Sequence, residues 1–221
     1  MDLGFDGKVA IITGAGGGLG QSHALDLARR GALIVVNDLG GSVDGTGSGT
    51  TAAQAVVDEI KAAGGEAVAN YDSVATAEGG KSIVQSAVDT FGRIDIIVNN
   101  AGILRDTSFK NMTPEMLEPV LDVHLKGAFN VTQPAWEHMR NQGYGRIINT
   151  SSPSGLYGNP GQTNYGAAKA GIASFTVIAA LELERYGVTV NAVAPAALTR
   201  MTENLGMGQA PEDVQDKMAP R

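Results

Sequence analysis

The first forty residues contain a strand, a glycine-rich turn, a helix and a second strand, in that order. Residues 8–13 (KVAIIT) form a short β-branched run, which is long enough for a buried strand and too short for a helix. A helix is predicted over 22–30, and a second buried strand over 33–38 (LIVVND). A strand, a helix and a second strand of about this length make a βαβ unit. This unit predicts an α/β fold built on a parallel sheet.

The turn between the first strand and the helix has the glycines of a phosphate-binding site. The strict spacing G-x-G-x-x-G does not fit, because Leu19 stands at its last position when counting starts at Gly14. The spacing Thr13-Gly14-x-x-x-Gly18-x-Gly20 does fit. Gly14 permits the turn, Gly18 lets the backbone approach a pyrophosphate, and Gly20 lets the helix pack close to the sheet, with its amino terminus facing the anion. The alternative is a structural glycine turn that binds nothing.

An acidic residue ends the second strand. Asp38 lies eighteen residues after Gly20, where a carboxylate can accept hydrogen bonds from both hydroxyls of an adenine ribose. The same carboxylate would repel the 2′-phosphate of NADP, and no arginine follows until Arg93. We therefore predict NAD as the cofactor. The alternative is that Asp38 only caps a turn.

The rest of the chain continues to alternate between strands and helices. Strands are predicted over 67–71, 93–99, 146–150 and 188–194, and helices over 51–63, 76–91, 121–141 and 163–186, with Pro119 as a break or kink. The ligand crevice of a doubly wound sheet lies outside the carboxyl ends of the strands, where the strand order reverses. We therefore expect Asn100-Ala101-Gly102 to face the cofactor and Asp72-Ser73 to lie beside the adenine. The Asp72-Ser73 pair fits an ordinary turn equally well.

A tyrosine, a lysine and a serine form a set suited to moving a proton to or from an alcohol oxygen. Tyr165 and Lys169 are four residues apart, so they lie on one helix face if the helix begins at 163 or 164. Using the phenolate near neutral pH requires lowering its pKa of about 10 by roughly 2 to 3 units, which a nearby ammonium can do. Ser152, with no histidine paired to it by spacing, is expected to hold a carbonyl or alcohol oxygen. By itself the Tyr-x-x-x-Lys pattern fits any helix; the upstream glycines favour the catalytic interpretation.

Composition excludes several classes of function. The net charge of −7 and the pI near 4.9 disfavour nucleic acid or an anionic membrane as the main partner. No run of 18 apolar residues suggests a membrane span. With no cysteine, the chain has no disulfide and no thiolate metal site, and we predict no metal. The acidic start MDLGFDGK is unlike a secretory signal, so we expect a cytoplasmic protein.

Taken together, TGAGGGLG, NNAG, Ser152 and Tyr165-x-x-x-Lys169 resemble the short-chain dehydrogenase/reductase family across almost the whole chain. This resemblance implies a Rossmann-like, doubly wound parallel sheet flanked by helices on both faces, in a single domain over residues 1–221. The family's seventh strand and last helix are expected to be missing from this chain. The family resemblance also implies a homodimer or homotetramer.

The resemblance further implies an NAD-dependent oxidoreductase that interconverts a secondary alcohol and a ketone. Tyr165 would act as general base or acid, Lys169 would lower its pKa and bind the nicotinamide ribose, and Ser152 would hold the reacting oxygen. Hydride would pass between the carbinol carbon and nicotinamide C4. The implied cofactor contacts are Gly14, Gly18, Leu19, Gly20, Asp38, Asp72, Ser73, Asn100, Ala101, Gly102, Tyr165, Lys169, Pro195 and Leu198.

Three positions depart from the family pattern. Most members have asparagine where this chain has His124, and proline-glycine where it has Pro195-Ala196; Thr199 is one residue short of the usual spacing.

Longer stretches, including NNAGILRD and SGLYGNPGQTNY, resemble the (3R)-hydroxyacyl-CoA dehydrogenases of the family and imply a 3-hydroxyacyl-CoA substrate from fatty acid metabolism. Arg105 or Lys110 would then meet the phosphates of CoA.

Three alternatives remain for the function. Two are enzymes of the same kind, a 3-oxoacyl-carrier-protein reductase and a hydroxysteroid dehydrogenase. The third is a non-catalytic NAD(H)-binding sensor, which the intact Ser152, Tyr165 and Lys169 disfavour.

Overall fold

A computed structural model describes residues 4–195 of the chain. In this part of the chain six parallel strands form one sheet in the order β3-β2-β1-β4-β5-β6. The strands are β1 (Val9–Thr13), β2 (Leu33–Asn37), β3 (Ala67–Asn70), β4 (Ile96–Asn99), β5 (Gly145–Thr150) and β6 (Val188–Val193). The order reverses between β1 and β4, so the loops after these two strands face each other at the switch point.

Helices cover both faces of the sheet, as predicted. They are α1 (Gly18–Arg29), α2 (Thr51–Ala62), α3 (Ala77–Phe91), α4 (Pro114–Leu121), α5 (Gly127–Gln142), α6 (Pro153–Tyr157) and α7 (Thr163–Leu183). Buried residues of α3, α5 and α7 share one core, and those of α1 and α2 share the other. The Rossmann-like α/β prediction is therefore confirmed.

Alternation along β1 explains how one short strand serves both cores. Val9 and Ile11 belong to the first core, and Ala10 and Ile12 to the second. All four are 0% exposed, because successive side chains of a strand point to opposite faces and both faces carry helices. Each fully buried isoleucine contributes roughly 2 to 3 kcal/mol by removal from water.

Pro119 does not end a helix, so the predicted break is wrong, and the alternative of a kink stays a prediction. The helix continues from α4 through a π-helical stretch, Asp122–Lys126, into α5. Proline has no N–H to donate to the carbonyl four residues earlier, which here belongs to Glu115. The guanidinium of Arg105 donates to that carbonyl instead. A side chain from another segment thus satisfies the acceptor that the proline leaves free.

Helix α7 has the length and composition of a membrane span, and one of its faces packs on the sheet. Residues 163–186 reach a mean hydropathy of 1.4 in their most apolar window. One face carries buried Ala168, Ile172, Thr176, Ala179 and Leu183 and packs on the sheet. We interpret the apolar composition as that of a helix covering a parallel sheet. The predictions for Leu198, Thr199 and the family's last strand and helix lie outside the described residues.

Candidate active site

The loops after β1 and β4 interlock at the switch point. Asn100 Nδ2 donates to the carbonyl oxygens of Thr13 and Gly14, at 3.0 and 3.1 Å. The Thr13 hydroxyl oxygen accepts from the backbone N–H groups of Asn100 and Ala101, both at 3.0 Å. These four hydrogen bonds hold the predicted Asn100-Ala101-Gly102 segment against the glycine-rich turn.

The glycines of that turn are required by its geometry. Gly14 has a φ of +62°, and a Cβ there would lie 2.8 Å from Ala101 Cα. A Cβ on Gly20 would lie 2.2 Å from the Gly14 carbonyl oxygen. Gly18, at φ +57°, opens α1 with nothing within 4 Å of its Cβ position. The amino terminus of α1 is thus open to an anion, as a pyrophosphate site requires.

Asp38 is fixed at the end of β2 by two backbone donors. Its Oδ2 accepts from Gly16 N at 2.8 Å, and its Oδ1 from Gly40 N at 2.7 Å. Each carboxylate oxygen has a second lone pair, so both can still accept a ribose hydroxyl. The carboxylate therefore has the orientation and the spare acceptor capacity that the predicted ribose contact needs.

Asp72 is held in a comparable way at the end of β3. Its Oδ2 accepts from Asn70 Nδ2 at 2.8 Å and from the Ser82 hydroxyl at 2.7 Å. Asn37, 2% exposed, donates to the Asp72 carbonyl oxygen at 2.9 Å. The Ser73 hydroxyl oxygen accepts from Ala75 N. These bonds order the turn that was predicted to lie beside the adenine.

One cavity of about 380 Å³ brings most of the predicted cofactor residues together. The predicted residues that line it are Gly14, Gly18, Leu19, Asp38, Asp72, Ser73, Asn100, Ala101 and Gly102. Gly20 supports the turn from behind, and Pro195, the last described residue, does not line the cavity. The acidic lining residues are Asp38, Asp72 and Asp122, and no lysine or arginine of residues 4–195 lines it.

The glycine-rich stretch 39–50 between β2 and α2, predicted from its length to be a mobile loop or a flap, lines the same cavity. Ser42, Val43 and Gly45 contribute to the lining. The Val43 carbonyl oxygen accepts from Leu104 N at 2.9 Å, and Arg105 Nε donates to the Asp44 carbonyl oxygen at 2.9 Å. The loop is thereby tied to the segment after β4.

Those contacts also change the interpretation of Arg105. Its guanidinium donates to two carbonyl oxygens, those of Asp44 and Glu115. It therefore joins the β2–α2 loop to α4. Arg105 and Lys110 were the two cations expected to meet the phosphates of CoA. Lys110 is exposed and makes no side-chain hydrogen bond or ion pair among residues 4–195, so it is the more available of the two.

The predicted serine, tyrosine and lysine meet where β5 ends and α7 begins. Lys169 Nζ lies 5.5 Å from the ring centroid of Tyr165 and donates to the Thr150 carbonyl oxygen. Ser152 Oγ accepts from Ser154 N at 3.2 Å, and the Ser152 hydroxyl hydrogen-bonds the Tyr165 phenol. The three side chains thus form one site, on the helix face that the spacing predicted.

The ionisation of this site differs from what spacing suggested. Burial raises the pKa of the Tyr165 phenol above its usual value, a hydrogen bond from Ser152 lowers it, and the Asp106 carboxylate raises it further. Burial lowers the pKa of Lys169 to about 7. The expected lowering of the phenol pKa by an adjacent ammonium is therefore not found in the described residues, because the amine is 2% exposed and itself tends to lose its proton.

His124 lies in the π-helical stretch and packs against the phenol. The two rings are perpendicular, with centroids 5.1 Å apart. Its Nε2 lies 2.8 Å from the carbonyl oxygen and 3.1 Å from the N–H nitrogen of Ile103. Burial, followed by the charge of Lys169, holds the pKa of His124 well below its usual value, so the ring is neutral at pH 7. A cavity of about 10 Å³ separates it from Lys169 and shares Val74, Ala101 and Val123 with the large cavity.

A short-chain dehydrogenase family model matches residues 8–210. The chain belongs to the short-chain dehydrogenase/reductase family. As a short-chain dehydrogenase/reductase it is an oxidoreductase, and the predicted recognition is confirmed. No group of three His, Asp or Glu residues within 4–195 is arranged to hold a metal ion.

Relatives of this short-chain dehydrogenase/reductase include parts of larger proteins. It is 53% identical over 218 residues to the peroxisomal multifunctional enzyme type 2 of Mus musculus, covering 99% of this chain and 29% of that protein. It is 54% identical over 204 residues to the peroxisomal hydratase-dehydrogenase-epimerase of Saccharomyces cerevisiae, covering 92% of this chain and 22% of that protein. The chain thus spans less than a third of these multifunctional relatives.

Solved structures of the family share the fold. A short chain dehydrogenase from Mycobacterium avium is 52% identical, with a TM-score of 0.83, covering 96% of this chain and 76% of that chain. NAD⁺-bound xylitol dehydrogenase is 34% identical, with a TM-score of 0.80, covering 87% of this chain and 71% of that chain. Family members typically bind NAD(P), and the open helix amino terminus and the free acceptors of Asp38 fit such a dinucleotide.

Proposed function

We propose that this enzyme uses NAD and interconverts a (3R)-3-hydroxyacyl-CoA with the 3-oxoacyl-CoA. The observation that carries the proposal is the meeting of Ser152, Tyr165 and Lys169 beside a cavity lined by Asp38. A hydroxyacyl-CoA dehydrogenase of Mycobacterium tuberculosis is 44% identical over 218 residues, covering 93% of this chain and 66% of that protein. That relative supports the thioester substrate, and the name of the Saccharomyces cerevisiae hydratase-dehydrogenase-epimerase supports the type of reaction.

The preference for NAD follows from charge. The Asp38 carboxylate stands at the end of β2 with its two outer lone pairs free, and within residues 4–195 no cation lines the cavity. A 2′-phosphate there would meet a fixed negative charge with no cation to compensate it. A 2′-hydroxyl would instead donate to that carboxylate.

The chain's own residues can hold the reacting oxygen and move its proton. The Ser152 hydroxyl, which hydrogen-bonds the Tyr165 phenol in this structure, donates to that oxygen when the substrate is bound. The Tyr165 phenol gives a proton to a ketone oxygen, or as phenolate takes one from an alcohol. Lys169, beneath the ring and bonded to Thr150, holds the tyrosine turn of α7 in place. The nicotinamide of NAD, when bound, supplies the carbon that accepts or returns hydride.

A second candidate is a 3-oxoacyl-carrier-protein reductase. Such a reductase from Synechocystis is 48% identical over 199 residues, covering 90% of this chain and 77% of that protein. The two functions differ in the carrier of the acyl group and in the direction of use. Asp38 disfavours NADPH, so cofactor preference separates them.

A substrate screen that follows NADH absorbance tests the proposal. We expect turnover with (3R)-3-hydroxyacyl-CoAs and NAD, and weak turnover with NADP, steroids or simple secondary alcohols. Faster reduction of 3-oxoacyl-carrier-protein with NADPH would favour the second candidate. A steroid as the best substrate would overturn both.

The Tyr165→Phe variant separates an enzyme from a dinucleotide-binding sensor. We expect it to lose about a hundred- to ten-thousandfold in kcat, because a positioned proton donor contributes that much in such reactions. Its affinity for NADH should stay within about twofold, since the phenol does not line the dinucleotide cavity. Unchanged turnover would refute the assigned role.

We also propose a homodimer or homotetramer. Apolar side chains stand exposed on the outer face of α7 and on α5: Val177 is 61% exposed, Ile178 54%, Leu181 73% and Phe129 46%. A contiguous apolar face of this kind is typical of a subunit contact. Sedimentation equilibrium tests it, and a monomer at micromolar concentration would contradict it.

Cytoplasmic location stays a proposal, which subcellular fractionation would test.

A further inference from the structure

A buried amide joins the segment after β4 to the loop that carries Ser152. Gln162 is 3% exposed and immediately precedes α7. Its Nε2 donates to Asp106 Oδ2 at 2.7 Å, and its Oε1 accepts from the Ser154 hydroxyl at 2.7 Å and from Asn159 Nδ2 at 3.0 Å. A carboxylate accepts only, and both partners of Oε1 donate, so the amide has one orientation.

These bonds tie the Asp106 carboxylate to the segment just before α7, within electrostatic range of the Tyr165 phenol. Ser154, at the other end of the amide, donates its N–H to Ser152 Oγ. The backbone supports the same arrangement, because Thr107 N donates to the Gly161 carbonyl oxygen at 2.9 Å. Asp106 is therefore linked to the Ser152 hydroxyl through two residues. The first is the Gln162 side chain, and the second is Ser154, which bonds Gln162 by its hydroxyl and Ser152 by its N–H.

No cation neutralises this carboxylate among residues 4–195. Asp106 forms no ion pair there, and the guanidinium of neighbouring Arg105 is engaged by two backbone carbonyls. The charged or titratable groups that face Tyr165 are Lys169, His124 and Asp106. His124 is neutral at pH 7. The phenol thus lies next to a buried amine and within electrostatic range of an exposed carboxylate.

We propose that Asp106, oriented by Gln162, selects substrates that carry no negative charge next to the reacting carbinol, such as 3-hydroxyacyl thioesters, over free 3-hydroxy acids. The proposal rests on the proposed function. In a 3-hydroxy acid the carboxylate is two carbons from the carbinol, close enough to be repelled by Asp106. The carbonyl of a thioester occupies the same place without charge.

The test compares kcat/KM for two matched substrates, the N-acetylcysteamine thioester of (3R)-3-hydroxybutyrate and the free acid. The thioester lacks the phosphates of CoA, so the two differ in charge only near the carbinol. We expect Asp106→Asn to reduce the preference for the thioester by roughly fivefold, through faster turnover of the acid, because one charge interaction at a partly solvated site is removed. Salt should reduce the preference in the parent and not in the variant.

Asp58→Asn is the matched control. Asp58 is an exposed carboxylate on α2 that likewise accepts from an amide, Gln54 Nε2 at 2.8 Å, and it makes the same change in net charge. We expect this variant to keep the parent's preference. Equal preferences in the parent, Asp106→Asn and Asp58→Asn would overturn the proposal while leaving the dehydrogenase function intact.

A second measurement does not depend on turnover. An ultraviolet difference titration, with Tyr165→Phe as the reference, gives the midpoint of the Tyr165 phenol. We expect Asp106→Asn to lower that midpoint by roughly half a unit, since removing a negative charge favours the phenolate. An unchanged midpoint overturns the proposal. No turnover with any hydroxyacyl substrate, together with a lowered midpoint, would place the failure in the proposed function and support the charge of Asp106 at the phenol.

Discussion

Replacing Lys169 with methionine should make the protein more stable at neutral pH and not at alkaline pH. The lysine side chain is 2% exposed, and burial lowers its pKa from 10.5 to about 7. In the unfolded chain the amine is in water and keeps its ordinary pKa. Methionine has a similar length without a charge, so Lys169→Met removes the ionisation with little change in packing.

The magnitude follows from proton linkage. Between pH 7 and pH 10.5 the unfolded chain binds a proton that the folded chain does not, so the free energy of unfolding falls as the pH falls through this range. Over the full interval this lysine costs about 5 kcal/mol of stability. The variant avoids that cost and loses the hydrogen bond to the Thr150 carbonyl, which contributes about 1 kcal/mol. We therefore expect Lys169→Met to be about 3 to 4 kcal/mol more stable near pH 7 and about 1 kcal/mol less stable above pH 10.

Urea unfolding of the dinucleotide-free protein at several pH values between about 6.5 and 10.5 would measure this difference. Lys61→Met is the control, because Lys61 is exposed and its loss should shift stability by the same small amount at every pH. Parallel curves for the parent and Lys169→Met would refute the reasoning. They would mean that the fold holds Lys169 as an ammonium, as the sequence-based hypothesis for the phenol required.

Three further predictions concern other parts of the site. Asp38→Ala should reduce the NAD-to-NADP ratio of kcat/KM by about tenfold, the effect of about 1.4 kcal/mol from one lost charge interaction, and an unchanged ratio would contradict the ribose contact. Gly102→Ala should destabilise the protein by about 1 to 3 kcal/mol in urea unfolding, because its Cβ would lie 2.4 Å from His124 Cε1. Gly49→Ala, whose nearest neighbour would be 3.8 Å away, should change stability far less. The rate of alcohol oxidation should rise with pH toward 10, because the raised pKa of Tyr165 leaves little phenolate at pH 7, and a flat profile would argue against this base.

The positions of the site residues could be predicted because a parallel sheet leaves few choices. Strands such as β1 are recognisable as short apolar runs, and consecutive parallel strands end at the same edge. Asn100 and Asp38 each follow such a run directly, so their place at the switch point needed only the strand order. Tyr165 and Lys169 needed only the helix period.

The orientation of individual side chains could not be predicted in this way. Helical spacing places Lys169 beside Tyr165, but it does not show that Nζ is bonded to Thr150 or that burial removes its proton. The π-helical stretch was missed because it depends on tertiary contacts. His124, within this stretch, points into the site and hydrogen-bonds Ile103. The role of Gln162 depends on a contact with Asp106, 56 residues away, for which no local pattern exists.

The groups around the phenol have a joint consequence that none has alone. The amine behind the ring loses its proton near pH 7, the imidazole at its edge is neutral, and the Asp106 carboxylate is negative. Burial and the charge of Asp106 favour the protonated phenol, and the Ser152 hydroxyl favours the phenolate. The neutral amine and imidazole supply no positive charge that would stabilise the phenolate. At neutral pH the described residues therefore hold Tyr165 ready to give a proton to a ketone oxygen, and alcohol oxidation requires that balance to be shifted. The pH profiles of the two directions should differ accordingly, with reduction declining where oxidation rises, because one direction uses the phenol and the other the phenolate.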